Sequence, residues 1–234
     1  MSRKNLHPER HQSQRTGWLR AAVLGSSDAI VSTSSLMIGV ASSSAERGAI
    51  LVAGVAGLAA GAMSMAVGEF VSVSAQSDAE RADIAREEKE LATQPAAELR
   101  ELAQIYERRG LDAELAEKVA QQLSAKDRLA AHLRDELGLE RDDLARPLQA
   151  ACVSAASFAV FALIPIFALL LAPASLRPHT IATVSLFSLA LLGAVGARLG
   201  GASGPKAALR VIVGGGLAML VTAIVGKVFG VVTG

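Results

Sequence analysis

No disulfide can form within this chain, because Cys152 is its one cysteine and lies in an apolar run, so cysteine usage implies no redox compartment. Aromatic residues make up only 3%, although 51% of residues are hydrophobic and mean hydropathy is +0.39. That balance is too apolar for an ordinary soluble domain and points to several membrane spans. Acidic residues are nearly missing from most of the chain, with 4 of the 22 lying outside Asp78–Arg146. Strand-like alternation is absent from the polar segments, so a helical protein is expected throughout. No nucleophile–base constellation and no phosphate-binding loop appears, which argues against an enzyme. No prosthetic group and no nucleic-acid partner are expected. A cleavable signal peptide is not expected either: the first 16 residues are polar, and the apolar run after them is as long as a full span.

What is present divides the chain into blocks. Residues 1–16 are a basic tail with Arg3, Lys4, Arg10 and Arg15. His7 and His11 stand four apart there, but Pro8 argues against the helix that would pair them. Residues 17–75 read as two transmembrane helices, 76–146 as a polar helical insert, and 147–234 as three more spans. Between Asp78 and Arg146 there are 18 acidic and 12 basic residues, and elsewhere 4 acidic and 11 basic. The basic tail and the basic turn Arg198–Arg210 share one side of a five-span topology, with the acidic insert on that side. The opposite loops carry only Glu46, Arg47, Arg177 and His179. The positive-inside rule then places the N-terminus and residues 76–146 in the cytosol.

Two membrane segments carry unusual chemistry. In the first, Gly25, Asp28, Ser32 and Ser35 fall on one helical face. An isolated carboxylate in hydrocarbon is costly, so Asp28 should face a protein or water-filled interior. In the second, no charge intervenes between Ile50 and Glu69, and Gly57, Gly61, Met65 and Glu69 are spaced four apart. Small residues permit close helix approach, and a thioether and a carboxylate can serve a transition-metal ion. The same face also reads as a packing stripe, with Met65 filling a gap and Glu69 snorkelling to the interface. No breaker follows Val71 before Glu90, so this helix should run on as an amphipathic stalk.

Within the insert, Pro95 should open a helix and Gly110 end it, with Leu99, Leu102 and Tyr106 as its apolar stripe. Asp112 can cap the next helix, with Leu115, Val119 and Leu123 buried. A third helix is expected from about Lys126 to Leu137, stopped by Gly138. Glu87 and Glu90, and Glu98 and Glu101, are pairs three apart on either side of Pro95. His132 and Glu136, four apart, share a face of the third helix. If these converge, five carboxylates and one imidazole suit Fe²⁺, Mn²⁺, Co²⁺ or Zn²⁺ better than Cu⁺. Spacing alone leaves open a solvated, charge-laced helical domain.

The chain resembles the vacuolar iron transporter family. The matching residues are Trp18-Leu-Arg-Ala-Ala-Val-Leu-Gly-Ser-Ser-Asp28, Ser64-Met-Ala-Val-Gly-Glu-Phe-Val-Ser-Val73, the Glu87, Glu90, Glu98, Glu101 series, Glu136-Leu-Gly-Leu-Glu140 and the run from Arg210. The resemblance implies an all-α membrane protein of five transmembrane helices, with a cytosolic helical metal-binding domain inserted between the second and third, and a homodimer. It implies proton-coupled export of Fe²⁺, with Mn²⁺ as a second ion, from the cytosol. By position, Asp28 and Met65 fall on the transport pathway with Glu69 beside them, and Glu87, Glu90, Glu98, Glu101 and Glu136 fall on cytosolic ligands. Two departures stand out. His132-Leu133 occupies the place of a methionine pair in plant members, and Ser27 and Ala29 flank Asp28 where the family often has Asn and Gly. Without an organelle signal, a prokaryotic cell membrane is favoured over a vacuole. A metal sensor that does not transport, and a partner-docking membrane protein, are the rival readings.

Overall fold

The computed structural model describes residues 16–43, 45–139 and 144–233. The tail with His7 and His11, and Glu140, fall outside the described residues. Among the described residues the chain forms seven α-helices and one short 3-10 turn, with no strand. The helices are α1 Thr16–Ser42, α2 Arg47–Thr93, α3 Pro95–Arg108, α4 Ala113–Asp135, α5 Pro147–Leu171, α6 Arg177–Leu199 and α7 Gly204–Thr233. Five segments are long and apolar enough to cross a membrane: Ala21–Ser42, Arg47–Thr93, Pro147–Leu171, Ala174–Leu199 and Gly204–Gly230. The chain divides into two compact units, residues 1–70 with 148–234, and residues 71–147.

The first unit is built from α1, the first half of α2, and α5, α6 and α7. Its core joins Ile30, Met37 and Ile38 of α1 to Ile50 of α2, Ile166 and Leu169 of α5, Ile181 and Leu189 of α6, and Met219 of α7. Close approach of α1 and α7 depends on small residues, since a Cβ at Gly226 would overlap the Gly39 backbone. Some polar side chains along α1 are satisfied inside the helix: the hydroxyls of Ser26 and Ser32 donate to the carbonyls of Ala22 and Asp28, each at 2.6 Å. Arg47 at the start of α2 donates to the Leu170 carbonyl near the end of α5, covering an acceptor that helix geometry leaves open.

α2 runs 47 residues without interruption, as the lack of a breaker predicts, and stops at Gln94. The ring of Pro95 pushes the residue before it out of the helical region, and Gln94 sits at φ −135°, ψ 46°. Pro95 then starts α3, where its missing N–H costs nothing. Gly110 follows α3 at φ +101°, a conformation that a β-carbon disfavours. Asp112 caps α4 as expected, accepting the Leu115 N–H at 2.9 Å.

The second unit packs Leu102, Ala103, Ile105 and Tyr106 of α3 against Ala116, Ala120 and Ala131 of α4. Two expectations change here. Leu115 is 48% exposed, because the α4 register turns Ala116 and Ala120 inward and lets α3 pack closely on them, with Val119 and Leu123 alongside. The third helix is the second half of α4, which is broken at Asp127 (φ −157°, ψ 99°) rather than separated by a loop. Asp127 recaps it by accepting the Ala130 N–H at 3.0 Å. The end of α4 is tied back to α3 through Asp135, which accepts from the Tyr106 hydroxyl at 2.6 Å, Arg109 at 2.7 Å and Arg134 at 2.6 Å.

Candidate functional site

Three helices of the second unit bring four metal-ligating side chains together. Glu87 comes from the far half of α2, Glu98 from the first turn of α3, and His132 and Glu136 from the end of α4. One ligand atom of each lies within 4.8 Å of the others. The break at Pro95 lets Glu87 and Glu98 approach from two helices, and the i, i+4 spacing puts His132 and Glu136 on one face. His132 is fully buried, and Glu87 and Glu98 are 3% and 6% exposed.

The imidazole sits at the centre of the group. Its Nδ1 is hydrogen-bonded to Glu136 Oε2 at 3.0 Å and also lies 2.9 Å from Glu87 Oε1, an oxygen that has no hydrogen-bond partner among the described residues. Its Nε2 is buried and has no hydrogen-bond partner among the described residues. Burial pushes the Glu87 carboxyl up to about 7, with the Glu136 charge adding to the rise and His132 opposing it. Glu98 is also raised, first by burial and then by the Glu101 charge. Carboxylates crowded out of water in this way are stabilised by a proton or by a cation. Three carboxylates and an imidazole form an oxygen-rich donor set with no sulfur, suited to divalent ions from Mn²⁺ to Zn²⁺.

Glu90 and Glu101 stand outside this group of four, half-buried and exposed respectively. Their charges still reach it, since Glu90 contributes to the rise at both Glu87 and Glu98. They belong to the local field rather than to the set of ligand atoms that meet.

A separate cavity of about 180 Å³ lies in the first unit, lined by Asp28, Ser32, Thr33 and Leu36 of α1, Gly57, Gly61, Ser64 and Met65 of α2, and Phe158 of α5. At roughly 30 Å³ per water it has room for several waters or a partly hydrated ion. Asp28, Ser32 and Ser64 are exposed, whereas Thr33 and Phe158 are buried. The glycines make the space: a Cβ at Gly61 would overlap the Phe158 ring, and one at Gly57 would lie 2.9 Å from Leu36 Cδ2. Asp28 and Met65 thus meet at one cavity. Glu69, a turn beyond Met65 on α2, is half-buried and does not line it. Sequence reasoning missed Thr33, Ser64 and Phe158. The hydroxyl-rich run of α1 signalled Thr33 and Ser64 adjoins Met65, but nothing local marks Phe158.

Comparison with known proteins points in one direction. The model of the VIT family matches residues 19–227. A vacuolar iron transporter of Acanthamoeba castellanii is 47% identical over 223 residues, 93% of this chain and 82% of that protein. Vacuolar iron transporter homolog 1 of Oryza sativa subsp. japonica is 39% identical, over 92% of this chain and 75% of its own length. Vacuolar iron transporter homolog 2.1 of Arabidopsis thaliana is 35% identical, over 89% of this chain and 80% of its own length.

Proposed function

The chain belongs to the VIT family, and from that premise we propose that it exports divalent transition metal, chiefly Fe²⁺ and also Mn²⁺, from the cytosol across the membrane in exchange for protons. The observation that carries this reading is the meeting of buried Glu87, Glu98 and His132 with the exposed Glu136 in a protein with five apolar helices long enough to span a bilayer. The insert, on the cytosolic side, collects ions at this acidic group, with Glu90 and Glu101 raising the local negative field. The Asp28–Met65 cavity is the step within the membrane. A single carboxylate and a thioether hold an ion loosely, and a transported ion must leave as well as bind. Glu69, a turn beyond Met65 and outside the cavity lining, is on this reading the carboxylate that exchanges protons beside that step. The working assembly on this reading is a homodimer in a prokaryotic cell membrane.

Ion uptake by proteoliposomes tests the reading, with and without a pH gradient. Asp28→Asn removes the charge that offsets dehydration of a divalent cation and makes the span cheaper to insert. Met65→Leu keeps the volume and removes the sulfur. Each variant, incorporated at wild-type level, should abolish flux while ion binding by the insert persists. Near-normal flux in both would move the pathway elsewhere, and ion binding without flux in the wild type would favour the sensor reading.

A further inference from the structure

Hydroxyls inside a membrane helix have one easy partner, the carbonyl a turn earlier. On α1, Ser26, Ser32 and Ser34 all take it, donating to Ala22, Asp28 and Ile30. Thr33 lies between two of them and does not. Its Oγ1 is buried and has no hydrogen-bond partner among the described residues, and the residue is only 1% exposed. An unpaired buried hydroxyl is costly to keep, so a site that retains one calls for an explanation. Ser35, Ser154 and Ser185 are similarly unpaired, but of these four residues Thr33 alone lines the cavity that holds Asp28 and Met65.

We propose that the Thr33 hydroxyl is a third donor to the ion in this cavity, beside the Asp28 carboxylate and the Met65 sulfur. The inference rests on the reading of the cavity as the intramembrane step. Asp28 and Met65 alone leave a divalent ion with few protein donors, and the remainder must come from water or neutral oxygens. A threonine hydroxyl is a neutral oxygen that adds no net charge to the span and binds weakly enough to let the ion go. Because Thr33 makes no bond back to its own helix, rotation about χ1 can turn Oγ1 towards the cavity without breaking a hydrogen bond. Its role is to replace part of the ion's water shell, so its removal should weaken ion capture more than turnover.

Mn²⁺ uptake by proteoliposomes separates the possibilities. Thr33→Val keeps the shape and removes the oxygen; it should raise KM for Mn²⁺ at least fivefold while changing the maximal rate less than twofold. Thr33→Ser, which keeps the oxygen, should stay within twofold of wild type on both. A purely structural threonine predicts another pattern, because Val removes an unsatisfied buried group: Thr33→Val should then melt no lower than wild type and transport normally. If Val fails to assemble, Thr33→Ala takes its place in the comparison with Ser. A KM within twofold of wild type in the variant lacking the oxygen, or equal losses in it and in Thr33→Ser, overturns the proposal. Asp28→Asn runs beside these variants as the control. Full flux in Asp28→Asn would overturn the pathway itself, whereas its loss together with a normal Thr33→Val would overturn only the role of Thr33.

Discussion

On the proposed reading, Glu87 gives ion binding at its cluster a pH dependence whose size follows from its burial. The carboxyl is 3% exposed and is pushed up to about 7 by that burial and by Glu136, from an ordinary 4.5. An ion that takes Glu87 as a ligand must displace its proton. At pH 6 about one Glu87 in eleven is ionised, and at pH 8 about ten in eleven, so apparent affinity should rise about tenfold, or about 1.4 kcal/mol. A carboxylate at 4.5 would be ionised across that range and would contribute nothing. The sign for folding is opposite. A folded pKa raised above the unfolded value adds stability below about pH 4.5 that is lost as pH rises through 7, and the interval corresponds to about 3 kcal/mol. The metal-free protein should therefore melt lower at pH 8 than at pH 5, and added Mn²⁺ should restore most at pH 8. Calorimetric titration of the purified full-length protein with Mn²⁺ at pH 6, 7 and 8, repeated on Glu87→Gln, measures the effect. The Gln variant should lose the Glu87 share of that pH dependence. An affinity that is flat with pH, or an unchanged pH ratio in Glu87→Gln, would refute the reasoning.

Other expectations follow from the same geometry. His132→Met replaces a nitrogen donor by a softer sulfur, so affinity for Co²⁺ relative to Mn²⁺ should rise several-fold in competition titrations; an unchanged ratio would remove His132 from the ligand set. Gly61→Ala places a Cβ against Phe158 and should lower flux at least tenfold while leaving the cluster's Mn²⁺ affinity within twofold, as read by uptake and calorimetry on one preparation. Tyr106→Phe removes a 2.6 Å hydrogen bond to the nearly buried Asp135 and should cost about 2 kcal/mol in the unfolding of the insert, followed by hydrogen exchange at α3 and α4 amides.

Much of the helical frame was legible because its punctuation is local. Pro95, Gly110 and Asp112 act on their immediate neighbours, so the end of α2, the limits of α3 and the start of α4 could be read directly. Asp127 was harder. An aspartate within a helical pattern looks like a solvated face, and only the backbone geometry shows that it breaks and recaps α4. The buried face of α4 was misread at Leu115 because hydrophobicity ranks leucine above alanine, whereas close contact with α3 selects the smaller Ala116 and Ala120. The same limit applies to the cavity, where Gly61 and Phe158 are 97 residues apart in sequence and only tertiary packing brings the ring over the glycine.

His132 shows how far spacing carries and where it stops. The i, i+4 relation to Glu136 was readable, but the complete burial of the imidazole was not, because it depends on Glu87 arriving from a helix 45 residues earlier. The imidazole Nδ1 lies 2.9 Å from Glu87 and 3.0 Å from Glu136, so an ion bound beside it would have all three side chains within reach. Three carboxylates meet at this cluster, whereas the membrane cavity is lined by one carboxylate and a thioether. On the proposed reading the cluster binds more tightly than the cavity, and an ion passes on only if something lowers its hold. On that reading a proton returning to Glu87, whose carboxyl burial pushes up to about 7, is what loosens the cluster's hold.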